Sequence, residues 1–115
     1  MKRPPPKRGL FLTFEGGEGA GKTTLMKELA RQLTSEGYTV LSTREPGGTE
    51  LGEKIRTLLL QGGGLSPYAE LSLFLASRAQ HIAEVIGPSL ERGEIVLCDR
   101  FNDSSIAYQG VGRGL

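Results

Sequence analysis

Tryptophan is absent from this sequence, and histidine and cysteine occur once each, as His81 and Cys98. One cysteine cannot build a disulfide framework, which argues for a reducing compartment and a cytoplasmic protein. Cys98 sits in the apolar run I-V-L-C, where a buried structural thiol is expected rather than a nucleophile. No apolar run nears the ~18 residues of a membrane-spanning helix, and nothing resembles a secretory leader, so no membrane partner is expected. A basic excess is lacking too. Lys2, Arg3, Lys7 and Arg8 crowd the first eight residues, and the remainder carries ten basic against thirteen acidic residues. A body of that balance has no electrostatic footprint for nucleic acid. Residues 1–9 (M-K-R-P-P-P-K-R-G) read as a basic, proline-rich, mobile tail ahead of one domain over residues 10–115.

Glycine is abundant, and its placement is informative. Gly16 to Thr23 reads G-G-E-G-A-G-K-T and satisfies the phosphate-loop pattern G-x-x-x-x-G-K-[ST]. With 17 glycines in 115 residues, a chance match is on the order of one per cent. The context reduces that further, since the pattern carries meaning only between a strand and a helix. Leu10 to Phe14 is an apolar run fit for a buried strand. Lys22 to Glu36 repeats Leu25, Met26, Leu29, Ala30 and Leu33 at helical spacing. In such a loop the backbone N–H groups of Gly16, Gly17, Glu18, Gly19, Ala20, Gly21, Lys22, Thr23 and Thr24 can surround phosphate oxygens, aided by the helix N-terminus. Lys22 can reach the outer phosphates of a nucleoside triphosphate, and the Thr23 hydroxyl can join the shell of a magnesium ion.

Gly37 stops the first helix, and Tyr38 to Ser42 reads as the second strand. Arg44 to Gly48 (R-E-P-G-G) reads as a loop. Thr49 can cap a helix with the stripe Leu51, Ile55, Leu58 and Leu59, which ends at Gln61 to Gly64. Ser66-Pro67 opens another carrying Leu71, Phe74, Leu75, Ala79, Ile82 and Ala83, until Gly87-Pro88 interrupts or bends it. Ile95 to Cys98 has the continuous apolar character of a buried parallel strand and ends in Asp99-Arg100. A short helix is expected near Ser104 to Gln109, followed by the glycine-rich Gly110 to Leu115. Strands alternating with helices predict an α/β domain with a parallel sheet, its ligands off the carboxyl ends of the strands.

Arg44 and Arg100 follow strands two and three and could converge beyond the loop. An acceptor bearing its own phosphate requires such cations, because donor and acceptor phosphates repel. Asp99 could hold magnesium or its waters; an ion pair with Arg100 or Lys22 is the alternative. At this level a kinase, a regulatory ATPase and a nucleotide-binding module without turnover all remain open.

Three stretches, F-E-G-G-E-G-A-G-K-T-T, T-R-E-P-G-G-T and L-C-D-R-F-N-D-S-S-I-A-Y-Q-G, together resemble bacterial thymidylate kinase, from about Gly9 onward. The resemblance implies a phosphate-loop fold of three α/β/α layers, ATP and dTMP as substrates, magnesium, in-line transfer and a homodimer. It implies that Phe74 stacks on thymine and Arg78 hydrogen-bonds the base. Ser104 and Ser105 are further polar contacts, and Tyr108 packs beside the sugar. Glu18 accepts from the 3′-hydroxyl, Arg44 and Arg100 lie near the acceptor phosphate, and Lys22, Arg100 and Glu18 are catalytic. Glu45, His81 and Gln109 are expected to be structural or solvated. Glu18-Gly19-Ala20 carries no arginine, as in the branch that supplies this charge from a mobile lid. Family members run to roughly 200 residues, so the resemblance implies that lid, final strands and adenine clamp lie past Leu115, with Arg113 a lid-edge candidate.

Overall fold

A computed structural model of the chain describes residues 9–16 and 20–101. Three parallel strands, β1 (Leu10–Gly16), β2 (Val40–Glu45) and β3 (Ile95–Phe101), form a sheet in the order β1-β3-β2. Four α-helices accompany them: α1 (Ala20–Ser35), α2 (Glu50–Gln61), α3 (Pro67–His81) and α4 (Gly87–Glu91), with a π-helical turn at Ile82–Ile86 between the last two. β3 is central because it is the one described strand that is apolar on both faces. Ile95, Val96, Leu97 and Cys98 are all buried. Side chains alternate across a strand. Ile95 and Leu97 meet Met26, Leu29, Ala30 and Leu33 of α1, while α4 packs on β3 from the other side. The result is the expected three-layer α/β/α arrangement. Among the described residues no helix is long and apolar enough to cross a membrane.

Several boundaries differ from the sequence expectation. β2 begins at Val40 and runs through Arg44 and Glu45, so the arginine expected in a loop is a strand residue. Tyr38 is used elsewhere: its N–H closes α1 by donating to the Leu33 carbonyl at 3.1 Å, after Gly37 turns the chain at φ 100°. β1 continues to Gly16, and its apolar run is exposed, with Leu10, Phe11 and Leu12 at 54%, 40% and 39%. It pairs with β3 on one side only among the described residues. Gly9 is tied to Leu90 by a backbone hydrogen bond of 2.9 Å; residues 1–8 lie outside the description. So do the helix expected near Ser104 to Gln109 and everything after it.

The helix starts follow their caps. Thr49 accepts from the Gly52 N–H at 2.8 Å and Ser66 from the Ala69 N–H at 3.1 Å, with Pro67 at the first helical position. The expected break at Gly87-Pro88 is a change of hydrogen-bond register instead. Pro88 has no N–H, and its ring crowds the carbonyl four residues back. The preceding turn widens, Gly87 N–H donates to the Ile82 carbonyl, and the chain stays helical.

The stripes are corrected in an informative way. Leu25, Leu51, Leu58, Leu75 and Ile82 are exposed, since each lies off the face its helix turns inward. α2 buries Gly52, Ile55, Arg56 and Leu59, and α3 buries the polar pair Ser77 and His81. Ile55 and Leu59 form a second small core with Leu65 and Leu73. The inward face of α3 is therefore a hydrogen-bonding face, and it is turned toward the end of β2.

Candidate active site

The strand register builds the site. At the carboxyl end of the sheet Phe14, Asp99 and Arg44 lie in one row, and Glu15, Arg100 and Glu45 in the next. Consecutive residues face opposite sides of a sheet, so Asp99 and Arg100 serve two different clefts.

The Asp99 side faces α1. Lys22, in its first turn, donates to the Gly16 carbonyl at 2.9 Å and sets its ammonium 2.6 Å from Asp99 Oδ1. That oxygen is buried and has no aligned hydrogen-bond partner, so the lysine neutralises its charge at close range without occupying its lone pairs along an N–H axis. The structure pairs Asp99 with Lys22 rather than with Arg100. Thr23 lines the same cleft of about 950 Å³, along with Lys27, Arg44, Glu53 and Asp99. A hydroxyl and a carboxylate are hard donors of the kind magnesium takes. Gly21, Lys22, Thr23 and Thr24 all fall in the first turns of α1. Gly17, Glu18 and Gly19 lie outside the described residues, as do Ser104, Ser105 and Tyr108.

Arg44 is held on this side. Its Nε and Nη2 donate to the two oxygens of Glu53, at 3.2 and 2.5 Å, and Glu53 Oε2 also accepts from the Gly48 N–H at 3.0 Å. The Arg44 hydrogen bond holds the Glu53 carboxyl below its ordinary range, against the opposing pull of burial. A depressed carboxylate stabilises the fold above its unfolded pKa and loses that contribution as pH falls through the folded value. Glu53→Gln is therefore expected to melt at lower temperature than the native chain at neutral pH. The gap should begin to close below about pH 4.3. Thermal melts of both chains down to about pH 3 check this, and a gap independent of pH would exclude the ion pair as its source.

The Arg100 side faces α3 and the π turn. Arg100 Nη1 donates to Glu15 Oε2 at 3.0 Å, and its Nε lies 3.5 Å from Glu45 Oε1. Arg78 Nε donates to the same Glu45 oxygen at 3.1 Å. Both arginines and Glu45 line a cavity of about 300 Å³ with Phe11, Ile86 and Leu90. Arg78 also stands over the Phe74 ring, 5.1 Å from its centroid, a cation–π distance. Phe74 is half-buried and belongs to neither apolar core cluster. The two sides thus differ from the sequence expectation in one respect: Arg44 and Arg100 line neighbouring clefts rather than one.

Glu45 and His81, expected to be structural or solvated, lie at the centre of this side. His81 Nδ1 is 2.8 Å from Glu45 Oε2 and Nε2 is 2.7 Å from the Thr43 hydroxyl. Gly48 makes room for the ring. Its φ is +82°, and a Cβ there would fall 2.3 Å from His81 Nε2, so neither the conformation nor the space admits a side chain. Ser77 Oγ accepts from the Gly47 N–H at 3.1 Å, and the buried Arg56 donates to the Pro46 carbonyl at 3.1 Å. One signal could have pointed to these residues: Arg56 and His81 directly adjoin the apolar-stripe residues Ile55 and Ile82. Cys98 is buried beside them, and burial first, then the charges of Glu45, Asp99 and Glu15, pushes its thiol up to about 12. A thiol so placed is inert as a nucleophile.

The sequence description of the thymidylate kinase family matches residues 14–115. The chain is 59% identical over 106 residues to thymidylate kinase of Synechococcus sp. (strain JA-3-3Ab), covering 92% of this chain and 52% of the relative. It is 62% identical over 109 residues to that of Pseudomonas syringae pv. tomato, covering 93% and 52%. The chain spans about half the length of these curated relatives. Among solved structures, the crystal structure of thymidylate kinase from Ehrlichia chaffeensis superposes with a TM-score of 0.77 at 48% identity, covering 94% of this chain and 63% of that one.

Proposed function

The chain belongs to the thymidylate kinase family, and from that premise we propose that it serves the magnesium-assisted, ATP-dependent phosphorylation of dTMP to dTDP, on the route to dTTP. One observation carries the reading. The end of a single parallel sheet presents a phosphate-loop lysine against Asp99 on one face, and two guanidinium groups around Glu45 on the other. The first face suits the donor triphosphate and the second a smaller anionic acceptor.

In this reading residues 16–24 bind the ATP phosphates. Lys22 neutralises charge on the outer ones, and Thr23 and Asp99 would hold magnesium or its waters. Bound there, the ion would supply positive charge to offset that of the phosphate oxygens. The acceptor phosphate, with a second pKa of about 6, is already a nucleophile at neutral pH, so the protein has to align and neutralise rather than remove a proton. Arg100 approaches that phosphate from the Glu45 side and Arg44 from the neighbouring cleft, Arg78 and Phe74 hold the base, and Glu18, Ser104, Ser105 and Tyr108 complete the nucleoside contacts. Lys22, Arg100 and Glu18 are the catalytic residues. Exposed Leu51, Leu58, Tyr68 and Leu75 on α2 and α3 support a homodimer packed through these helices, and the inert thiol suits the reducing cytoplasm. Nucleic acid and membrane have no part in it.

Phe74→Ala should weaken dTMP binding by ~1–3 kcal/mol, the scale of lost base stacking, with little effect on melting temperature. Titration of the variant with dTMP checks this, and an unchanged affinity would make Phe74 a packing residue only. The reaction itself is tested by coupled ADP release over dTMP, AMP, CMP and UMP. Preference for dTMP is expected, and preference for another acceptor, or hydrolysis indifferent to dTMP, would refute it. A second reading is nucleotide binding without turnover. Turnover of dTMP by this chain at ~1–100 per second would exclude that.

A further inference from the structure

Glu45 is 2% exposed and carries the same sign as an acceptor phosphate, so it cannot be a ligand for one. Its partners are what give it a role. One of its oxygens, Oε1, lies 3.1 Å from Arg78 Nε and 3.5 Å from Arg100 Nε. These guanidinium groups come from α3 and β3, and a single oxygen fixes the same edge of each. Both arginines must then meet a ligand through their terminal nitrogens. The Arg100 Nη1 bond to Glu15, a side chain 48% exposed, is the kind of surface pair a ligand phosphate can replace.

Glu45 is itself held from behind. An ionised carboxylate only accepts hydrogen bonds, so the proton of a neutral His81 ring sits on Nδ1 and donates to Glu45 Oε2, leaving Nε2 to accept from the Thr43 hydroxyl. Thr43 and Glu45 are two apart on β2, hence on one face, and His81 clamps both. The ring is fully buried, with the Gly48 backbone against Nε2.

We propose that Glu45 is a positioning residue for the acceptor nucleotide: clamped by His81 and Thr43, its carboxylate sets the orientation in which Arg78 meets the base and Arg100 the phosphate of the bound nucleotide. This rests on the reading of those two arginines as acceptor-binding. It separates acceptor affinity from donor affinity, because among the described residues the partners of Glu45 come from α3 and β3 and not from α1.

Calorimetric titration of the native chain and of Glu45→Gln with dTMP, and separately with ATP, tests this. Glutamine keeps the shape and an acceptor for His81 but removes the charge that orients the arginines. The variant should bind dTMP at least about tenfold more weakly, the scale of one lost charge-assisted hydrogen bond, and bind ATP as the native chain does. Unchanged dTMP affinity would overturn the proposal alone, and so would an equal loss for both nucleotides, which is what a merely structural residue gives. A native chain that failed to bind dTMP would overturn the acceptor reading and this proposal with it. The native chain also provides a test that needs no variant. Its single histidine gives one assignable imidazole in nitrogen NMR, expected as the Nδ1-protonated tautomer and shifted on dTMP addition although His81 touches no ligand. An Nε2-protonated ring, or one unmoved by saturating dTMP, would overturn the clamp.

Discussion

Lys22→Ala is expected to abolish phosphoryl transfer while leaving the fold standing. The lysine is anchored at both ends of its reach, by the Gly16 carbonyl at 2.9 Å and Asp99 at 2.6 Å, and its side chain is 12% exposed. A cation held so rigidly needs little reorganisation as charge develops on the transferring group, which is where preorganised electrostatics act most strongly. Losing it should cost at least about a thousandfold in rate, the upper scale for removing one preorganised donor. Stability should fall by about 1–3 kcal/mol, because the Asp99 oxygen facing Lys22 is buried and loses its counter-charge, while the rest of that side chain, a third exposed, stays solvated. Lys22→Arg is not expected to restore transfer, since a planar fork cannot replace a compact ammonium in that space. Single-turnover rates and thermal melts of both variants check this. A variant that transferred phosphate normally would place the donor elsewhere.

Glu45→Ala should have the largest effect on stability. It removes at once the hydrogen-bond acceptor of the Arg78 guanidinium and of the His81 imidazole and the ion-pair partner of Arg100. Deleting one partner of a buried ion pair costs about 3–5 kcal/mol. Arg78 and Arg100 retain 30% and 25% side-chain exposure, and water can partly re-solvate them, which favours the lower end. Against a domain stability of about 5–15 kcal/mol that remains a large share. At a few degrees per kcal/mol for a chain of this size, the melting temperature should fall by about 10 °C. Glu45→Gln should lose less, since its one carbonyl oxygen can still accept from His81, although its amide NH2 then faces the guanidinium groups where an acceptor stood. If Glu45→Ala melted with the native chain, the three partners would have found other acceptors, and Glu45 would not be their common anchor.

The sequence made the donor side legible and the acceptor side only in pieces. The phosphate loop is contiguous: its glycines, Lys22 and Thr23 lie within eight residues, and the flanking strand and helix can be recognised by period. The parallel α/β class followed from the same alternation. The Glu45 cluster, by contrast, joins residues 33 to 55 positions apart, and no local pattern signals such contacts. Its members were also disguised. Arg44 and Glu45 follow a β-rich run and precede Pro46-Gly47-Gly48, so they read as loop. They are strand residues because β3 offers Asp99 and Arg100 to pair with. On α3 the apolar residues suggested the inward face, whereas Ser77 and His81 hold it. Hydrogen bonds to Gly47 and Glu45 outweigh the hydrophobic stripe, which is left exposed at Leu75 and Ile82. Phe74 and Arg78 came from the family resemblance together with their four-residue spacing, and the cation–π contact between them is what that spacing allows.

The central claim is that the Arg78–Arg100 side of this sheet accepts a thymidine monophosphate. Calorimetric titration of the chain with dTMP, AMP, CMP and UMP under one buffer tests it most directly, because binding is read without requiring turnover. The account predicts that dTMP binds most tightly and that a thymidine analogue competes with it. Tighter binding of AMP, CMP or UMP, or no heat with dTMP where ATP binds, would contradict it.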